Sequence, residues 1–417
     1  MALKAGASAA EVYEVESLAY PVSFQSNRLK LIESSQSEGT ALRLWKNGSP
    51  GLAVAYGEFD PDLLVQKAIA LSHLNPVEEI ELAQGRQELH PIRQEEFEVN
   101  VLIEEGKKSI EHIIDQYPDV ICSANLEWER ERVRLINSFG LDCQYCDDSF
   151  SFGLGVEWIR GDDFLGIYDG ESNYRAVDTG RIINNMLQRL VWSERNVVAP
   201  SGKLPIIFTP SAATILWGTL STALNSKYIL ESSSPWSDRL NQIVVSQDLC
   251  IRQDPTIKSC WCPFDDEGVV TQKLDFIENG IFRGFYSDLK RAKQLEITSS
   301  GNGFRSSLGS YPSPDLVNLL IDPGQGDLEQ LLSGFDQGIL VDQVLGQEPD
   351  ISGDFSINID LGFYVERGKI QGRIKDTMIS GNVYTALKEV IALGNDNRWI
   401  DSCFTPSLAV NGLSVTS

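Results

Sequence analysis

Short runs of alternating apolar and polar residues dominate the N-terminal part of the chain and predict a series of β-strands. Asn47 and Gly48 favour the positive φ angles of a tight hairpin turn. A helix is predicted from Asp60 to Ser72, because Asp60 suits the N-cap, Pro61 suits the first turn and apolar residues recur at helical spacing. The predicted strands cover residues 12–17, 22–27, 29–35, 40–45 and 51–56, after a helix end at residues 7–11.

The pattern then changes from a polar connection to longer strands. Residues 73–98 are polar overall and contain Pro76 and Pro91, so they are predicted to form a linker. Apolar residues at helical spacing predict two helices, at 101–116 and 178–191. Alternating strands are predicted between these helices, at residues 123–137, 141–146 and 150–158, with a turn at 137–140.

The C-terminal half begins with an apolar strand at residues 204–209 and a helix at 210–223, capped by Thr209 or Ser211. The remainder is predicted to be mostly β-structure, with turns at 279–280, 367–368 and 411–412 and helices at 328–335 and 382–393. These elements predict an α+β fold. Its predicted parts are an N-terminal α/β domain (1–115), a β-rich middle segment with one helix (116–199) and a large β-rich C-terminal domain (200–417).

Composition narrows the class of protein. The chain has 417 residues, too many for one compact core, and its 35 Lys and Arg against 59 Asp and Glu give a formal charge of −24. Because such a charge repels phosphate groups, we expect no direct binding of nucleic acid. No apolar run approaches the ~18 residues of a membrane span, and the N-terminus lacks a signal core, so no membrane contact is predicted. Seven cysteines, an odd number, favour reduced thiols and a cytoplasmic location.

The most informative motifs lie between Pro263 and Gly303. Their order and spacing, with further motifs downstream, resemble the third domain of the TldD/PmbA family, once described as modulators of DNA gyrase. The resemblance implies a zinc peptidase system and a C-terminal domain of the TldD/PmbA type. The motifs are Pro-Phe-Asp-Asp-Glu-Gly-Val-Val-Thr at 263–271, Ile-Glu-Asn-Gly at 277–280, Ser-Asp-Leu-Lys-Arg-Ala at 287–292, Ser-Gly-Asn-Gly at 300–303, Gly-Asp-Phe-Ser at 353–356 and Thr-Pro-Ser-Leu at 405–408.

The resemblance also implies where a catalytic zinc site would lie. The catalytic branch carries an HExxxH motif, which supplies two zinc ligands and the general base. At the matching positions, Trp217 replaces the first His, Gly218 the Glu and Thr222 the second His. These side chains are poor zinc donors, and no histidine follows His112. The chain therefore resembles the metal-free PmbA or TldE branch, and we expect no catalytic residue, metal ligand or cofactor in it.

Four further residues are candidates for a cleft or an interface. Cys403 lies near the position of the family's ligand cysteine, and we favour a buried structural cysteine over a ligand. Asp265, Asp266 and Glu267 fit either a hard-cation site or an acid–base pair on one interpretation. On the favoured interpretation they form a charged turn before a strand, with Gly268 supplying a permissive backbone, and they shape a cleft or interface.

Other candidate chemistry is weaker. A structural zinc site on the four clustered cysteines is not favoured, because a CxC spacing is unusual for zinc and Cys143 falls in an alternating strand. Acidic neighbours of the CxxC motif favour protonated thiols and argue against redox chemistry. The clustered cysteines are Cys143, Cys146, Cys260 and Cys262. No two histidines share ligand spacing, and we predict surface or boundary positions for His73, His90 and His112.

Three functions follow from this sequence, and the resemblance favours the first. It implies a non-catalytic subunit that pairs with a TldD-like catalytic subunit, with zinc only in that partner, and acts on unfolded or modified peptides. The second is a stand-alone homodimer that binds peptides without cleaving them, and a homodimer is expected for the isolated chain in either case. The third is a peptidase that uses an unrecognised metal site.

Overall fold

A computed structural model describes residues 1–92, 96–173, 177–346 and 349–417. Within these ranges the helices are α1 (Pro61–Ser72), α2 (Asn100–Gln116), α3 (Thr179–Trp192), α4 (Pro210–Ala223), α5 (Ser226–Leu230), α6 (Leu289–Gln294), α7 (Leu328–Ser333) and α8 (Val383–Lys388), with a 3-10 turn at Lys258–Cys260. The strands are β1 (Ala9–Gln25), β2 (Arg28–Ile32), β3 (Ser35–Lys46), β4 (Ser49–Tyr56), β5 (Gln87–Leu89), β6 (Val120–Asn137), β7 (Asp142–Arg160), β8 (Asp163–Asn173), β9 (Asn196–Val197), β10 (Gly202–Lys203), β11 (Ile206–Phe208), β12 (Ile251–Gln253), β13 (Leu274–Glu278), β14 (Ile281–Phe282), β15 (Gly303–Phe304), β16 (Ser313–Pro314), β17 (Leu319–Ile321), β18 (Gln337–Leu345), β19 (Asp354–Glu366), β20 (Lys369–Ile374), β21 (Met378–Asn382), β22 (Val390–Leu393), β23 (Arg398–Ile400), β24 (Cys403–Thr405), β25 (Leu408–Val410) and β26 (Ser414–Thr416).

The N-terminal strands form one sheet, which has eight strands within the described ranges. Its order is β4-β3-β1-β6-β7-β5, with β2 beside β1 and β8 beside β7. The central antiparallel pair, β1 and β6, stays in register from Glu11 opposite Asn137 to Phe24 opposite Ala124. Because successive side chains of a strand face opposite sides, burial alternates along much of β6.

Helices cover the apolar faces of this sheet. On one part of it, α1 packs Leu64 against Leu44 of β3 in a small core. Helices α2 and α3 contribute Ile113 and Met186 to a larger core, which also contains Phe363 of β19. This larger core is therefore shared between the N-terminal sheet and the C-terminal part of the chain.

The C-terminal part contains two main sheets in the region that the structure describes. The larger has the order β10-β26-β21-β19-β18-β11-β25-β22, with β20 beside β19 and β9 beside β20. The smaller has the order β14-β13-β12-β17-β24-β23. Helix α4 begins directly after β11, because the Thr209 side chain caps the helix by accepting the N–H of Ala212 and Pro210 fits the first turn. This helix buries Trp217 and Leu220 in the core beside the larger sheet.

Several sequence predictions are confirmed. The structure has helices at the four long predicted positions, and Asp60 caps α1 through the N–H groups of Asp62 and Leu63. Asn47 and Gly48 close the β3–β4 hairpin with φ angles of 53° and 81°. The mixed, β-rich α+β fold is confirmed as well.

Other predictions are wrong in their details. Residues 9–11 open a long strand rather than ending a helix, and residues 142–160 form one uninterrupted strand where a break was expected. The helix predicted at 382–393 ends at Lys388, after which β22 joins the sheet beside β25. The helices α5 and α6 were not predicted, because segments of five and six residues are too short for a helical period to show.

The predicted domain limits stay a prediction. The N-terminal sheet contains strands from both 1–115 and 116–199, since β1 pairs with β6 and β5 pairs with β7. The predicted linker at 73–98 contains β5, and its residues 93–95 lie outside the described ranges. Of the described helices, none has the length and apolar character needed to cross a membrane.

Candidate functional site

Trp217 fills the position at which the family resemblance implies the first zinc ligand. Its side chain is 1% exposed on α4, and its indole N–H donates to the hydroxyl of Thr405 at 2.7 Å. One turn later, the Thr222 hydroxyl donates to the carbonyl of Gly218 at 3.1 Å. An indole N–H that serves as a donor presents no lone pair to a metal. The three positions therefore do not fit a zinc ion.

Cys403 lies on β24, two residues before the acceptor of the Trp217 bond. It pairs with Leu319 of β17 in parallel and with Ile400 of β23 in antiparallel register. Burial, with a smaller contribution from Asp401, raises the pKa of the Cys403 thiol to about 12. The tertiary structure thus brings the α4 motif positions and the Cys403 strand together, while the thiol favours its protonated form.

The acidic segment 265–267 forms a tight turn around one carboxylate. Asp265 Oδ1 accepts the N–H groups of Glu267 and Val269 at 3.0 and 2.8 Å, and its Oδ2 accepts the N–H of Gly303 at 2.7 Å. Gly268 closes the turn at φ 76°, a conformation that favours glycine. Burial and the neighbouring Glu267 raise the pKa of Asp265 well above its usual value. Asp265 is therefore engaged in fixing the turn.

The next two carboxyl groups contact other parts of the fold. Asp266 Oδ2 accepts the N–H of Arg305 at 2.8 Å, and the same carboxyl bonds to the phenol of Tyr13 on β1. Glu267 Oε2 accepts the N–H of Leu289 at 2.7 Å, at the first residue of α6. Burial raises the pKa of Asp266 to about 6 and that of Glu267 to about 7. Both groups therefore hold protons at a higher pH than exposed carboxyls do.

A buried ion network connects this acidic turn with the N-terminal sheet. Glu11 on β1 is 1% exposed, and its Oε1 lies 3.0 Å from Arg43 Nη2 and 2.9 Å from Arg305 Nη2. Glu11 and Arg43 are direct partners in the β1–β3 ladder. Sequence reasoning missed this network. Glu11 falls in the segment that was predicted to end a helix, so the sequence pattern gave no sign of its cross-strand pairing with Arg43.

A second buried network joins β8, α3, β18 and β23. Asp169 Oδ2 accepts hydrogen bonds from Arg189 at 2.6 Å and from Arg398 at 3.0 Å, and Arg189 Nη2 donates to Asp342 Oδ1 at 2.9 Å. Burial favours the neutral acid, but the two arginines outweigh it and lower the pKa of Asp169 to about 2. These residues are far apart in the sequence, and no local pattern predicts that they meet.

The remaining candidates are cysteines and histidines. Burial raises the pKa of Cys143 to about 11 and that of Cys260 to about 12, which disfavours thiolate chemistry. His90 packs its ring edge-on against Trp261, with the centroids 4.9 Å apart. Within the described ranges, no three or more His, Cys, Asp or Glu side chains are arranged to hold a metal.

Part of the acidic turn borders a cavity. This cavity of about 340 Å³ is lined by Glu267 and Arg43 and by residues 311–313, and the neighbouring Lys290 forms a 2.8 Å ion pair with Glu78 across it. Asp265, Asp266 and Cys403 are not among its lining residues. A role in a cleft or interface therefore stays a prediction for all four candidates, Asp265, Asp266, Glu267 and Cys403.

Comparison with known proteins supports one family. A model of the PmbA/TldA metallopeptidase C-terminal domain matches residues 201–417, and a model of domain 1 matches residues 10–72. An uncharacterised protein of Methanocaldococcus jannaschii is 27% identical over an alignment 427 residues long, gaps included. The alignment covers 96% of this chain and 95% of that protein. A metalloprotease TldD homologue of Buchnera aphidicola is 29% identical over 202 residues, or 48% of this chain and 42% of that protein.

A solved structure has the same fold. The crystal structure of TldE from Thermococcus kodakarensis superposes with a TM-score of 0.91 at 22% identity, covering 99% of this chain and 98% of that one. At this level of identity the likeness concerns the fold alone. Because the C-terminal family model by itself matches more than half of the sequence, this chain belongs to the TldD/PmbA family of metallopeptidase-like proteins.

Proposed function

We propose that this chain is a non-catalytic subunit of a TldD-type zinc peptidase complex that acts on unfolded or modified peptides. The observation that carries the proposal is Trp217. A buried indole that donates to Thr405 stands where the family resemblance implies a zinc ligand. Gly218 at the position of the general base offers no carboxylate, so activation of water by this chain lacks both a metal ligand and a base.

The zinc and the catalytic base would then belong to a related partner chain. The similarity of this chain to TldD homologues in sequence and to TldE in fold supports a pairing of two related subunits. Within such a pair, this chain would contribute surfaces that enclose and bind the peptide, and the partner would contribute the catalytic groups. Its formal charge of −24 supports a peptide substrate over nucleic acid, and its odd number of cysteines supports a reducing, cytoplasmic setting.

The test is peptide hydrolysis by the purified chain alone and by its mixture with a TldD-type partner, each with and without a chelator. We expect cleavage of an unstructured peptide only in the mixture, and its loss with the chelator. A matched control uses a partner in which the Glu of HExxxH is replaced by Gln, which should leave the mixture inactive. Chelator-sensitive cleavage by the lone chain would overturn the proposal and establish an independent peptidase.

A second candidate, a peptide-binding homodimer, is favoured by one observation. Strand β2 is exposed along its whole length, and in the described ranges it pairs only with β1. A free strand edge can add an extended peptide through backbone hydrogen bonds. Peptide binding that persists without turnover, in both the lone chain and the mixture, would favour this candidate over the first.

A further inference from the structure

The cavity beside the acidic turn is large enough for a ligand of amino-acid size. Its volume of about 340 Å³ exceeds the ~150 Å³ of a protein cavity that accommodates benzene. Strands β3 and β4 form one side of it, the connection at residues 75–81 forms another, and α6 with residues 311–313 forms a third. Part of this lining is apolar, through the side chains of Trp45, Pro50, Pro76, Tyr311 and Pro312.

Arg43 presents a free donor to this cavity. The residue is 6% exposed, and its guanidinium is held by a 3.0 Å ion pair to Glu11 and by the ring of Trp45, whose centroid is 4.9 Å away. Its Nε and Nη2 atoms are enclosed by protein, whereas Nη1 is neither enclosed nor bonded to an acceptor among the described residues. The guanidinium lies within electrostatic range of Glu267 and Glu78, which line the same cavity. The free N–H groups of Nη1 therefore face the cavity.

Glu267 presents a free acceptor to the same space. The residue is 3% exposed, and its Oε2 accepts the N–H of Leu289 at 2.7 Å. Its Oε1 is neither enclosed nor bonded to a donor in the part of the chain that the structure describes. A Cβ atom at Gly303 would collide with this carboxyl, so the absence of a side chain there leaves room for it. Backbone contacts thus fix the carboxyl while one of its oxygens stays available.

The other charges around the cavity are already compensated. The exposed rim carries the ion pairs Lys290–Glu78, Lys293–Glu79, Lys293–Glu81 and Arg291–Asp288. Below them, Glu11 pairs with both Arg43 and Arg305, and the backbone N–H of Arg305 donates to Asp266. Glu267 has no such cation in direct contact within the described ranges. The floor of the cavity therefore offers one cationic donor and one carboxyl oxygen, each without a partner.

A ligand that fits this floor needs an acceptor for Arg43 beside a donor for Glu267. Charge-assisted hydrogen bonds are the stronger kind, so a carboxylate suits the guanidinium and an ammonium suits the carboxyl. A lone anion or a lone cation would leave one of the two groups unpaired, which costs free energy in a buried setting. An α-amino acid carries both groups on one carbon atom, and an apolar side chain suits the aromatic and proline lining.

We propose that this cavity binds a free α-amino acid with an apolar side chain. Its carboxylate accepts from Arg43 Nη1, its ammonium donates to Glu267 Oε1, and its side chain packs against Tyr311 and the neighbouring prolines. A longer peptide separates its terminal charges and matches the floor less well. The site lies beyond the proposed function, because amino-acid binding concerns this chain alone and requires no partner subunit.

The test is titration calorimetry of the full-length chain at about pH 8, above the Glu267 pKa of about 7. The probes are L-leucine, isocaproate, which lacks the ammonium, and isoamylamine, which lacks the carboxylate. We expect leucine to bind at least about tenfold more tightly than either analogue, since each analogue loses one charge-assisted bond. Equal affinity for leucine and either analogue would overturn the proposal, as would the absence of saturable leucine binding.

Two variants test the site from different sides. Glu267→Gln keeps the shape of the side chain and should weaken leucine binding at least about tenfold without changing isocaproate binding. Glu111→Gln, at an exposed position of α2, is its control and should bind leucine like wild type.

Tyr311→Ala removes part of the apolar lining and should also weaken leucine binding. Tyr311 is 39% exposed, so this variant should fold even where Glu267→Gln does not. Its control is Tyr56→Ala, at a 70% exposed position outside the cavity lining. Wild-type affinity for leucine in folded Glu267→Gln or in Tyr311→Ala would overturn the proposal. Peptide cleavage by the mixture is not measured in these experiments, so the proposed function stands or fails separately.

Discussion

Trp217 on α4 donates its indole N–H to the Thr405 hydroxyl on β24 across 2.7 Å, and both side chains are buried. The hydroxyl in turn donates to the carbonyl of Pro406 at 3.1 Å. This short chain of hydrogen bonds joins α4, on which the family resemblance implies the zinc motif positions, to the strand that carries Cys403. The local structure is therefore held by side-chain packing and hydrogen bonds in the place where relatives of the catalytic branch are expected to hold an ion.

We expect Trp217→Phe to lower the free energy of unfolding by about 1–3 kcal/mol, because it leaves a buried hydroxyl without its donor. Urea denaturation measures the change. Thr405→Ser, which retains the hydroxyl, is the matched control and should cost less. A double-mutant cycle adds Thr405→Val and the double variant Trp217→Phe/Thr405→Val. The loss of stability in the double variant should be smaller than the sum of the two single-variant losses. Strict additivity would show that the hydrogen bond contributes no coupling energy.

Glu11→Gln should be among the most destabilising single changes in the N-terminal sheet. It leaves the buried guanidinium groups of Arg43 and Arg305 without their shared carboxylate, and breaking a buried pair costs about 3–5 kcal/mol. Glu16→Gln on the same strand is the control, because its ion pair with Arg132 is half exposed and should contribute less than about 1 kcal/mol. Similar midpoints of thermal unfolding for the two variants would contradict this interpretation.

The buried carboxyl of Glu267 should make stability depend on pH. Because burial raises its pKa to about 7 in the folded state, the folded protein binds a proton more tightly than the unfolded chain. Its contribution is most favourable below the unfolded pKa of about 4.3 and declines as the pH rises towards 7.

When the pH is raised from 5 to 8, the free energy of unfolding of Glu267→Gln should therefore rise relative to that of wild type by on the order of 2 kcal/mol. Urea midpoints at the two pH values give the measurement. Glu111→Gln, at an exposed position of α2, serves as the control and should follow wild type at both pH values. A Glu267→Gln profile parallel to that of wild type would show that this carboxyl titrates normally.

Cys403 should resist alkylation in the folded protein. Since its pKa is raised to about 12, its thiolate fraction at pH 8 is on the order of a thousandfold below that of an unfolded cysteine. Mass spectrometry after a timed reaction with iodoacetamide reports each site, with and without urea. Cys250, which is partly exposed, serves as an internal control for reagent access. Modification of Cys403 at comparable rates in both conditions would contradict the burial of its thiol.

The helices were the most predictable part of the fold. The segment 210–223 has a cap at Thr209, a proline in the first turn and a dense apolar face, and the cap and proline determine where α4 begins. The segment 382–393 was misassigned because Val390 and Leu393 carry apolar side chains that suit a helix and a strand equally well. Pairing with β25 decides that these residues form a strand.

The candidate site also combines features that the sequence predicts with features that only the fold creates. The sequence alone determined that no histidine follows His112, and the family resemblance implies that Trp217 and Thr222 stand at ligand positions and Gly218 at the position of the base. Only the tertiary structure decided that Trp217 meets Thr405, that Glu11 joins Arg43 and Arg305, and that Asp169 joins Arg189 and Arg398. The reason is physical: residue chemistry and helix caps are local properties, whereas buried ion networks and cavities arise when strands distant in sequence pair and pack.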